Sequence, residues 1–273
     1  MGKLLWLASY PKSGNTWLRT FLHNFLRDPP AGYDINRITE FSIAEADVMW
    51  YRRHLPKAGS SYSFEEVAAA RPKAHEDMTK AFPDTVFVKT HNAMVADRGQ
   101  PLLTMALTAG AIYVVRNPLD VVVSYSHHLG QTIDETIRFM NTPGARTPNT
   151  DKNVYQILGS WSENVESWSA RPTPGLLVLR YEDMLDDGPA TFGKVVRFLG
   201  IDPPPGRLAR AIGASTFETL RAQEDRHGFK ERSPSAERFF REGRAGQWRE
   251  RLTQAQIDRI VEAHETQMKR FGY

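Results

Sequence analysis

The chain contains no cysteine among its 273 residues, and it has no apolar run long enough to cross a bilayer. The first absence excludes disulfide bonds, thiolate catalysis and cysteine-ligated metals, although it leaves the redox compartment undetermined. The second absence argues against a membrane-spanning protein, because a spanning helix needs roughly 18 or more consecutive apolar residues. The N-terminus shows no signal-peptide pattern, so we expect a cytoplasmic protein without stable membrane insertion.

An excess of charge of one sign is also missing. The 35 Lys and Arg residues nearly balance the 32 Asp and Glu residues, which leaves a formal net charge of +3. This excess is too small to favour nucleic acid as a partner. No shift in composition marks a linker, so we expect a single domain over residues 1–273.

The most informative stretch lies near the N-terminus. Residues 3–9 (KLLWLAS) form a short apolar run, residues 10–16 are rich in turn formers, and apolar residues then recur at helical spacing. This order predicts a buried strand, a tight loop and an amphipathic helix. The loop N–H groups and the positive end of the helix dipole converge in such a unit, and Lys12 adds a full charge. The stretch therefore predicts a phosphate or sulfate site.

This stretch has two other interpretations. One is an ordinary turn between a strand and a helix, with a solvated lysine. The other is a Walker A loop, which is excluded because Trp6 and Pro11 stand where its two glycines would be. The loop is P-loop-like in layout without being the standard ATP loop.

Three later apolar runs predict further strands, over residues 85–88, 111–115 and 176–180. Alternation of strands with helical patterns predicts an α/β protein, a three-layer P-loop-like fold in which helices flank a central parallel sheet. Open α/β sheets bind ligands at the carboxyl ends of their strands. The side chains that follow the predicted strands are therefore candidate site residues: Lys89, His91, Arg116 and Tyr181.

Two longer segments carry structural predictions. Apolar residues from Val154 to Trp168 recur at helical spacing, which predicts one helix with an apolar face. Residues 141–150 contain almost no apolar residue that would anchor them, so they are predicted to form the most mobile loop of the chain.

Several segments resemble sulfotransferases that use 3′-phosphoadenosine 5′-phosphosulfate (PAPS). Residues 9–17 (SYPKSGNTW) resemble the family's 5′-phosphosulfate loop, TYPKSGTTW, and residues 116–125 match its 3′-phosphate segment. Residues 241–248 (REGRAGQW) resemble its late RKGxxGDW signature, with Glu242 for Lys and Gln247 for Asp. An anion beside a phosphate is unfavourable, so we expect Glu242 to point away from the phosphate or the site to be weaker than is typical.

The resemblance implies transfer of a sulfuryl group from PAPS to a hydroxyl, or less often an amine, of a small-molecule acceptor. It implies His91 as the general base, because Lys-Thr-His follows a strand in the family, and Lys12 and Lys89 as charge-stabilising residues. PAP (3′,5′-adenosine diphosphate) is the expected product, and no metal is required. The implied nucleotide-binding residues are Lys12, Ser13, Gly14, Asn15, Thr16, Trp17, Arg116, Ser124, Tyr181, Ser215, Phe217, Arg241 and Gly243.

The acceptor pocket is predicted to involve residues 33–82 and 130–152, although no signature there identifies the acceptor. A homodimer is left open, because the chain has no clear copy of the family's C-terminal dimerisation segment. A P-loop small-molecule kinase is the alternative enzyme, and it would depend on Mg²⁺ and ATP. A non-catalytic nucleotide-binding module is the other alternative, although the presence of both Lys12 and His91 argues against it.

Overall fold

The computed structural model describes residues 2–273, which contain seven strands and a larger number of helices. In chain order the strands are β1 (Leu4–Ser9), β2 (Ser42–Ala44), β3 (Val86–Thr90), β4 (Ala96–Asp97), β5 (Gln100–Pro101), β6 (Thr108–Val115) and β7 (Leu176–Arg180). Five of them form a parallel central sheet in the order β2-β3-β1-β6-β7, and β4 pairs with β5 as a small antiparallel hairpin.

The helices connect and flank these strands. They are α1 (Asn15–Arg27), α2 (Phe64–Met78), α3 (Pro118–Leu129), α4 (Ile133–Asn141), α5 (Trp161–Ser169), α6 (Tyr181–Asp186), α7 (Gly188–Phe198), α8 (Arg207–Ala214), α9 (Phe217–His227) and α10 (Gln254–Phe271). None of the helices within residues 2–273 combines the length and the apolar character that crossing a membrane requires. The predicted α/β, P-loop-like fold with a central parallel sheet flanked by helices is confirmed.

Strand β1 lies in the middle of the sheet, and all of its side chains are buried. It pairs in parallel with β3, in a register that places Leu4 opposite Val86 and Ala8 opposite Thr90. A strand covered on both faces needs such a continuous apolar run, which is why the sequence revealed it. The same pattern revealed β3, β6 and β7, although β3 continues to Thr90 and so includes Lys89. β2 was missed because three residues are too few to show a period.

The described residues group into two compact units. The first comprises residues 2–10, Ser42–Tyr113 and Met140–Val178, and the second comprises Pro11–Phe41, Val114–Phe139 and Leu179–Tyr273. Every residue that the sequence assigns to the nucleotide belongs to the second unit, whereas Lys89 and His91 belong to the first. The expected single domain over residues 1–273 stays a prediction.

The helix predicted from Val154 to Trp168 is wrong in its first half, because α5 begins only at Trp161. Gly159 has a φ of 67°, a left-handed conformation that interrupts a helix. Ser160 then caps α5, because its hydroxyl accepts from the Glu163 N–H. In return, the Glu163 side chain accepts from the Ser160 N–H. The apolar residues before Gly159 belong to a non-helical segment, and their side chains are buried.

Residues 141–150, predicted to be the most mobile loop, have polar anchors, and their mobility stays a prediction. The Asn149 side chain donates to the Tyr62 carbonyl oxygen at 2.9 Å and accepts from the Tyr155 N–H at 2.7 Å. The Thr147 N–H donates to the Gln156 carbonyl oxygen at 2.9 Å. Polar groups therefore fix this segment, and a count of apolar residues does not detect them.

An aromatic cluster forms part of the core of the second unit. Leu220 of α9 packs with Ile35, Ile38, Phe229 and Phe240, and Phe217 and Phe239 cover the edge of this group. The cluster joins α9 to the segment that resembles the late family signature. It thereby positions the residues around Arg241.

Candidate active site

The loop between β1 and α1 has the backbone geometry of an anion site. Lys12 has a φ of 66° and Gly14 a φ of 103°, so the chain turns sharply before α1 begins at Asn15. No side chain among residues 2–273 caps the start of α1. The first N–H groups of a helix have no partner within the helix, and here they are not satisfied by a cap. They can therefore donate to a phosphate or sulfate.

Ser13 supplies a second indication of a ligand at this loop. Its side chain is 0 % exposed, yet its hydroxyl has no hydrogen-bond partner among residues 2–273. Buried hydroxyl groups are usually hydrogen-bonded, because an unsatisfied one costs about 1–3 kcal/mol. The residues of the loop therefore fit a group that supplies acceptor oxygens, as a phosphosulfate does.

Arg116 holds the β1–α1 loop by a hydrogen bond to its backbone. Its Nη1 donates to the Lys12 carbonyl oxygen at 3.0 Å and its Nη2 to the Arg244 carbonyl oxygen at 3.2 Å. Its guanidinium lies 4.1 Å from the centre of the Tyr181 ring, a cation–π distance. These contacts join three segments of the second unit. Arg116 is only 6 % exposed, and its charge extends the positive charge of the loop.

Tyr181, the first residue of α6, also covers the loop. A Cβ added to Gly14 would lie 2.7 Å from the Tyr181 ring, so only glycine fits there. Trp17 meets the same ring edge to face, with centroids 5.7 Å apart. These contacts place two aromatic rings beside the loop, where a base or its sugar would need an apolar surface.

The segment after Phe239 reaches the same region of the second unit. The Lys12 Nζ lies 3.9 Å above the Phe239 ring, and Gly243, with a φ of 64°, lies against the Phe217 ring. A Cβ on Gly243 would come within 2.2 Å of that ring. Arg241 donates to the side chains of Glu242 and Gln247. The structure thus brings the loop, Arg116, Tyr181, Phe217 and the late segment together.

Two predicted nucleotide residues are placed differently. Ser124 is partly exposed in the middle of α3. Ser215 is fully buried, and its hydroxyl donates to the Ala211 carbonyl oxygen of α8 at 2.8 Å. Because that hydroxyl is committed to its own helix, a direct contact with a nucleotide stays only a prediction for Ser215.

Sequence reasoning missed two buried carboxylates that fix the late segment. Asp120 accepts from the Gly246 N–H at 2.7 Å and the Trp248 N–H at 3.2 Å. Glu224 accepts from the N–H groups of Phe239 and Phe240, both at 2.8 Å. Asp120 lies inside the motif Arg-Asn-Pro-x-Asp and could have been found there, whereas Glu224 has no local signal.

His91 follows β3 in the first unit and contacts the last residue of β1. Its Nδ1 lies 2.8 Å from the Ser9 carbonyl oxygen and 3.3 Å from the Ser9 hydroxyl. Because a carbonyl oxygen only accepts, Nδ1 carries the proton of the neutral ring and Nε2 carries the lone pair. His91 is therefore held in the tautomer that can accept a proton at Nε2. Ser9, which holds it, lies three residues before Lys12 in the sequence.

Lys89 lies on the same side of the β3 backbone as His91. Side chains at 86, 88 and 90 are buried, whereas those at 87, 89 and 91 are partly exposed. This alternation is expected for an extended segment, in which residues i and i+2 share a face. The side chains of Lys89 and His91 are thus partly exposed on the same side of this segment.

A buried polar network holds the backbone after His91. Asn92 donates from Nδ2 to Glu45 at 2.8 Å, and its carbonyl oxygen accepts from the Trp168 indole at 2.9 Å. Burial works to raise the pKa of the Glu45 carboxyl, but the charge of Arg71, the nearby His75 and a hydrogen bond from the Tyr51 hydroxyl hold it below its ordinary value. Glu45 therefore stays ionised and fixes Asn92. No cluster of His, Asp and Glu in residues 2–273 is suited to hold a metal.

Comparison with known proteins agrees with this geometry. The family profile described as "Sulfotransferase domain" matches residues 3–272. Sulfotransferase 2A1 of Mus musculus is 26% identical over 259 residues, which cover 85% of this chain and 87% of the relative. Sulfotransferase 1C2 of Homo sapiens is 24% identical over 272 residues, which cover 97% of this chain and 83% of the relative.

Solved structures share the fold. Retinol dehydratase in complex with androsterone and the inactive cofactor PAP superposes with a TM-score of 0.66 at 19% identity, covering 97% of this chain and 80% of that one. Mouse sulfotransferase SULT7A1 complexed with PAP gives a TM-score of 0.63 at 20% identity, covering 97% and 84%. With the family profile matching nearly the whole length, the chain belongs to the family of PAPS-dependent sulfotransferases.

Proposed function

We propose that the chain binds PAPS through the β1–α1 loop and that His91 activates a small-molecule acceptor for sulfuryl transfer. The observation that carries the proposal is the loop itself, with uncapped N–H groups, the buried hydroxyl of Ser13 and the cation Lys12. The PAP-containing structures of the same fold support the nucleotide as the ligand.

The nucleotide-binding residues fall into three groups by chemistry. The loop supplies N–H donors from Ser13, Gly14, Asn15, Thr16 and Trp17, which suit the 5′-phosphosulfate. Arg116, Ser124, Arg241 and the backbone of Gly243 are assigned to the 3′-phosphate, because guanidinium groups match phosphate oxygens in two-point hydrogen bonding. Trp17, Tyr181 and Phe217 are the aromatic residues assigned to the adenine side.

The chemical roles follow from the protonation states. PAPS supplies the sulfuryl group together with its leaving group, the 5′-phosphate of PAP. His91 Nε2 takes the proton of the acceptor hydroxyl, whose oxygen forms a new bond to sulfur while the bond from sulfur to the phosphate oxygen breaks and its electron pair leaves with PAP. Lys12 and Lys89 stabilise the negative charge that grows during transfer, an effect typically worth several kcal/mol. Ser9 keeps the imidazole oriented throughout.

The proposed acceptor is a small molecule with a hydroxyl on an apolar body. Large apolar side chains are exposed in the first unit, with Met94 and Val95 each 41% exposed and Met49 57% exposed. Met94 and Val95 follow His91 by only three and four residues. Retinol and androsterone occupy structures of the same fold, and both are apolar molecules with a hydroxyl. We assign residues 33–82 and 130–152 to the acceptor pocket.

The test compares purified wild-type protein with His91→Ala, using PAP release from PAPS with a phenol, androsterone or retinol as acceptor. His91→Ala should lower kcat at least 100-fold, because a positioned general base contributes about 10²–10⁴. Its Kd for PAP, measured by calorimetry, should stay within twofold of wild type. The exposed His227→Ala serves as the control and should keep both values. Unchanged turnover in His91→Ala would remove His91 as the base.

A further inference from the structure

The acidic residue Glu242 is surrounded by three arginines of the second unit, Arg241, Arg244 and Arg251, here called the arginine cluster. Its carboxylate accepts from Arg241 Nη1 at 2.6 Å and from Arg244 Nε at 3.0 Å, and Arg251 Nη2 lies 3.5 Å away. The Glu242 side chain is 17% exposed, whereas those of Arg244 and Arg251 are 44% and 51% exposed. One carboxylate thus neutralises part of a strongly positive patch.

The arginine cluster adjoins the residues assigned to the 3′-phosphate. Arg241 is one of those residues, and Arg116 donates to the carbonyl oxygen of Arg244 at 3.2 Å. The pKa of His127 on α3 lies below its ordinary value, first through burial and then through the positive charges of two cluster arginines. The field of the cluster therefore reaches α3, the helix that carries Ser124.

A carboxylate and a phosphate compete for the same guanidinium. Both present oxygens to the planar N–H donors of arginine, and both form short, charge-assisted hydrogen bonds. Arg241 Nη1 already donates to Glu242, and Nη2 donates to Gln247. A 3′-phosphate that approaches Arg241 shares the guanidinium with the carboxylate, and the carboxylate repels it.

We propose that Glu242 is an internal counter-ion that competes with the nucleotide's 3′-phosphate for Arg241. It selectively lowers the affinity for nucleotides that carry a 3′-phosphate, and it leaves the affinity for the 5′ side of the nucleotide unchanged. The inference rests on the proposed function, which assigns Arg241 to the 3′-phosphate. Of the two outcomes expected from the sequence, it selects the weaker site, because the carboxylate points at Arg241.

The experiment measures Kd by calorimetry for PAP and for adenosine 5′-monophosphate, which lacks the 3′-phosphate. Wild type is compared with Glu242→Gln and with the control Glu250→Gln. Glu250 is 60% exposed and pairs with Arg244 at 2.7 Å, so its substitution changes the net charge equally without touching Arg241. Glu242→Gln should tighten PAP binding about three- to tenfold, as expected for a partly exposed ion pair. The Kd of Glu242→Gln for adenosine 5′-monophosphate should stay within twofold of wild type. Glu250→Gln should change the Kd for neither nucleotide.

Three results would overturn the proposal that Glu242 is a counter-ion. They are unchanged or weaker PAP binding in Glu242→Gln, an equal gain of affinity for both nucleotides in Glu242→Gln, or an equal gain of PAP affinity in Glu250→Gln. Weaker binding would mean that Glu242 orders the arginines for the phosphate. Wild-type protein that does not bind PAP at all would instead overturn the proposed function. The two failures are therefore distinguished by the wild-type measurement alone.

Discussion

Gly243 is the residue at which a single methyl group should matter most for nucleotide binding. Its φ is 64°, and a Cβ would come within 2.2 Å of the Phe217 ring, an aromatic residue assigned to the adenine side. Gly243→Ala must therefore move either the ring or the late segment. Because the shift displaces a residue assigned to the nucleotide, we expect PAP affinity to fall at least tenfold, which corresponds to about 1.4 kcal/mol.

Gly144 provides the matched control for this substitution. Its φ is 62°, and no atom of the described residues lies within 4 Å of the position of a Cβ. Gly144→Ala thus carries the same backbone strain, about 1 kcal/mol, without the clash. Calorimetry with PAP separates the two effects, and an equal loss of affinity in both variants would contradict the steric explanation.

The sequence pointed to most of the candidate site residues because their signal is local. Lys12, Gly14 and Trp17 lie within nine consecutive residues, and Lys89 and His91 directly follow a recognisable strand. The orientation of a side chain is not local, and here the prediction stops. That Ser9 fixes the His91 tautomer, and that the Ser215 hydroxyl donates to its own helix, depend on contacts between residues that the pattern does not pair.

At the scale of an element, the late segment from Phe239 to Trp248 is held mainly by two buried carboxylates. Glu224 on α9 accepts from two N–H groups at its start, and Asp120 on α3 accepts from two near its end. The short helical turn Gln247–Glu250 is the segment's only regular structure among the described residues. The position of Arg241 therefore depends on side chains from other elements.

Glu224→Gln should loosen this segment. The amide replaces one accepting oxygen by a donor that faces an N–H group, which should cost about 1–3 kcal/mol at a buried site. We expect a lower melting temperature and PAP binding weakened severalfold, measured by calorimetry. Glu218→Gln, on the exposed side of the same helix, is the control. Equal PAP affinity in Glu224→Gln and wild type would show that the segment is held by other contacts.

Elements were predictable where their hydrophobic period was long or their burial complete. The four recognised strands each have at least five residues. The error from Val154 to Leu158 arose because a segment without regular structure can also bury apolar residues that recur at helical spacing. Gly159 and the capping box at Ser160 were the signals that should have ended that helix.

At the scale of the whole molecule, buried histidines make stability depend on pH. Burial lowers the pKa of His264 in α10 from 6.5 to about 4. Between these values the unfolded chain binds a proton that the folded chain does not, so stability is present above pH 6.5 and is lost as the pH falls. The loss from one such group is about 1.4 kcal/mol per pH unit.

We therefore expect the free energy of unfolding, from urea titrations followed by tryptophan fluorescence, to fall between pH 7.5 and pH 5. His264→Gln removes one titrating group and should make this fall shallower below pH 6.5, by about 1.4 kcal/mol per pH unit. The exposed His227→Gln should leave the slope as it is in wild type. The same slope in His264→Gln and wild type would contradict the burial of a neutral imidazole.

The central claim, that the β1–α1 loop and the late segment bind the 3′-phosphorylated nucleotide, is tested most directly by thermal unfolding with PAP and, separately, with Mg-ATP. A ligand at 100 times its Kd stabilises by about 2.7 kcal/mol, which corresponds to about 5–11 °C for a chain of this size. We predict a shift in this range with PAP and none of comparable size with Mg-ATP. A shift with Mg-ATP alone would contradict the account and favour a P-loop kinase.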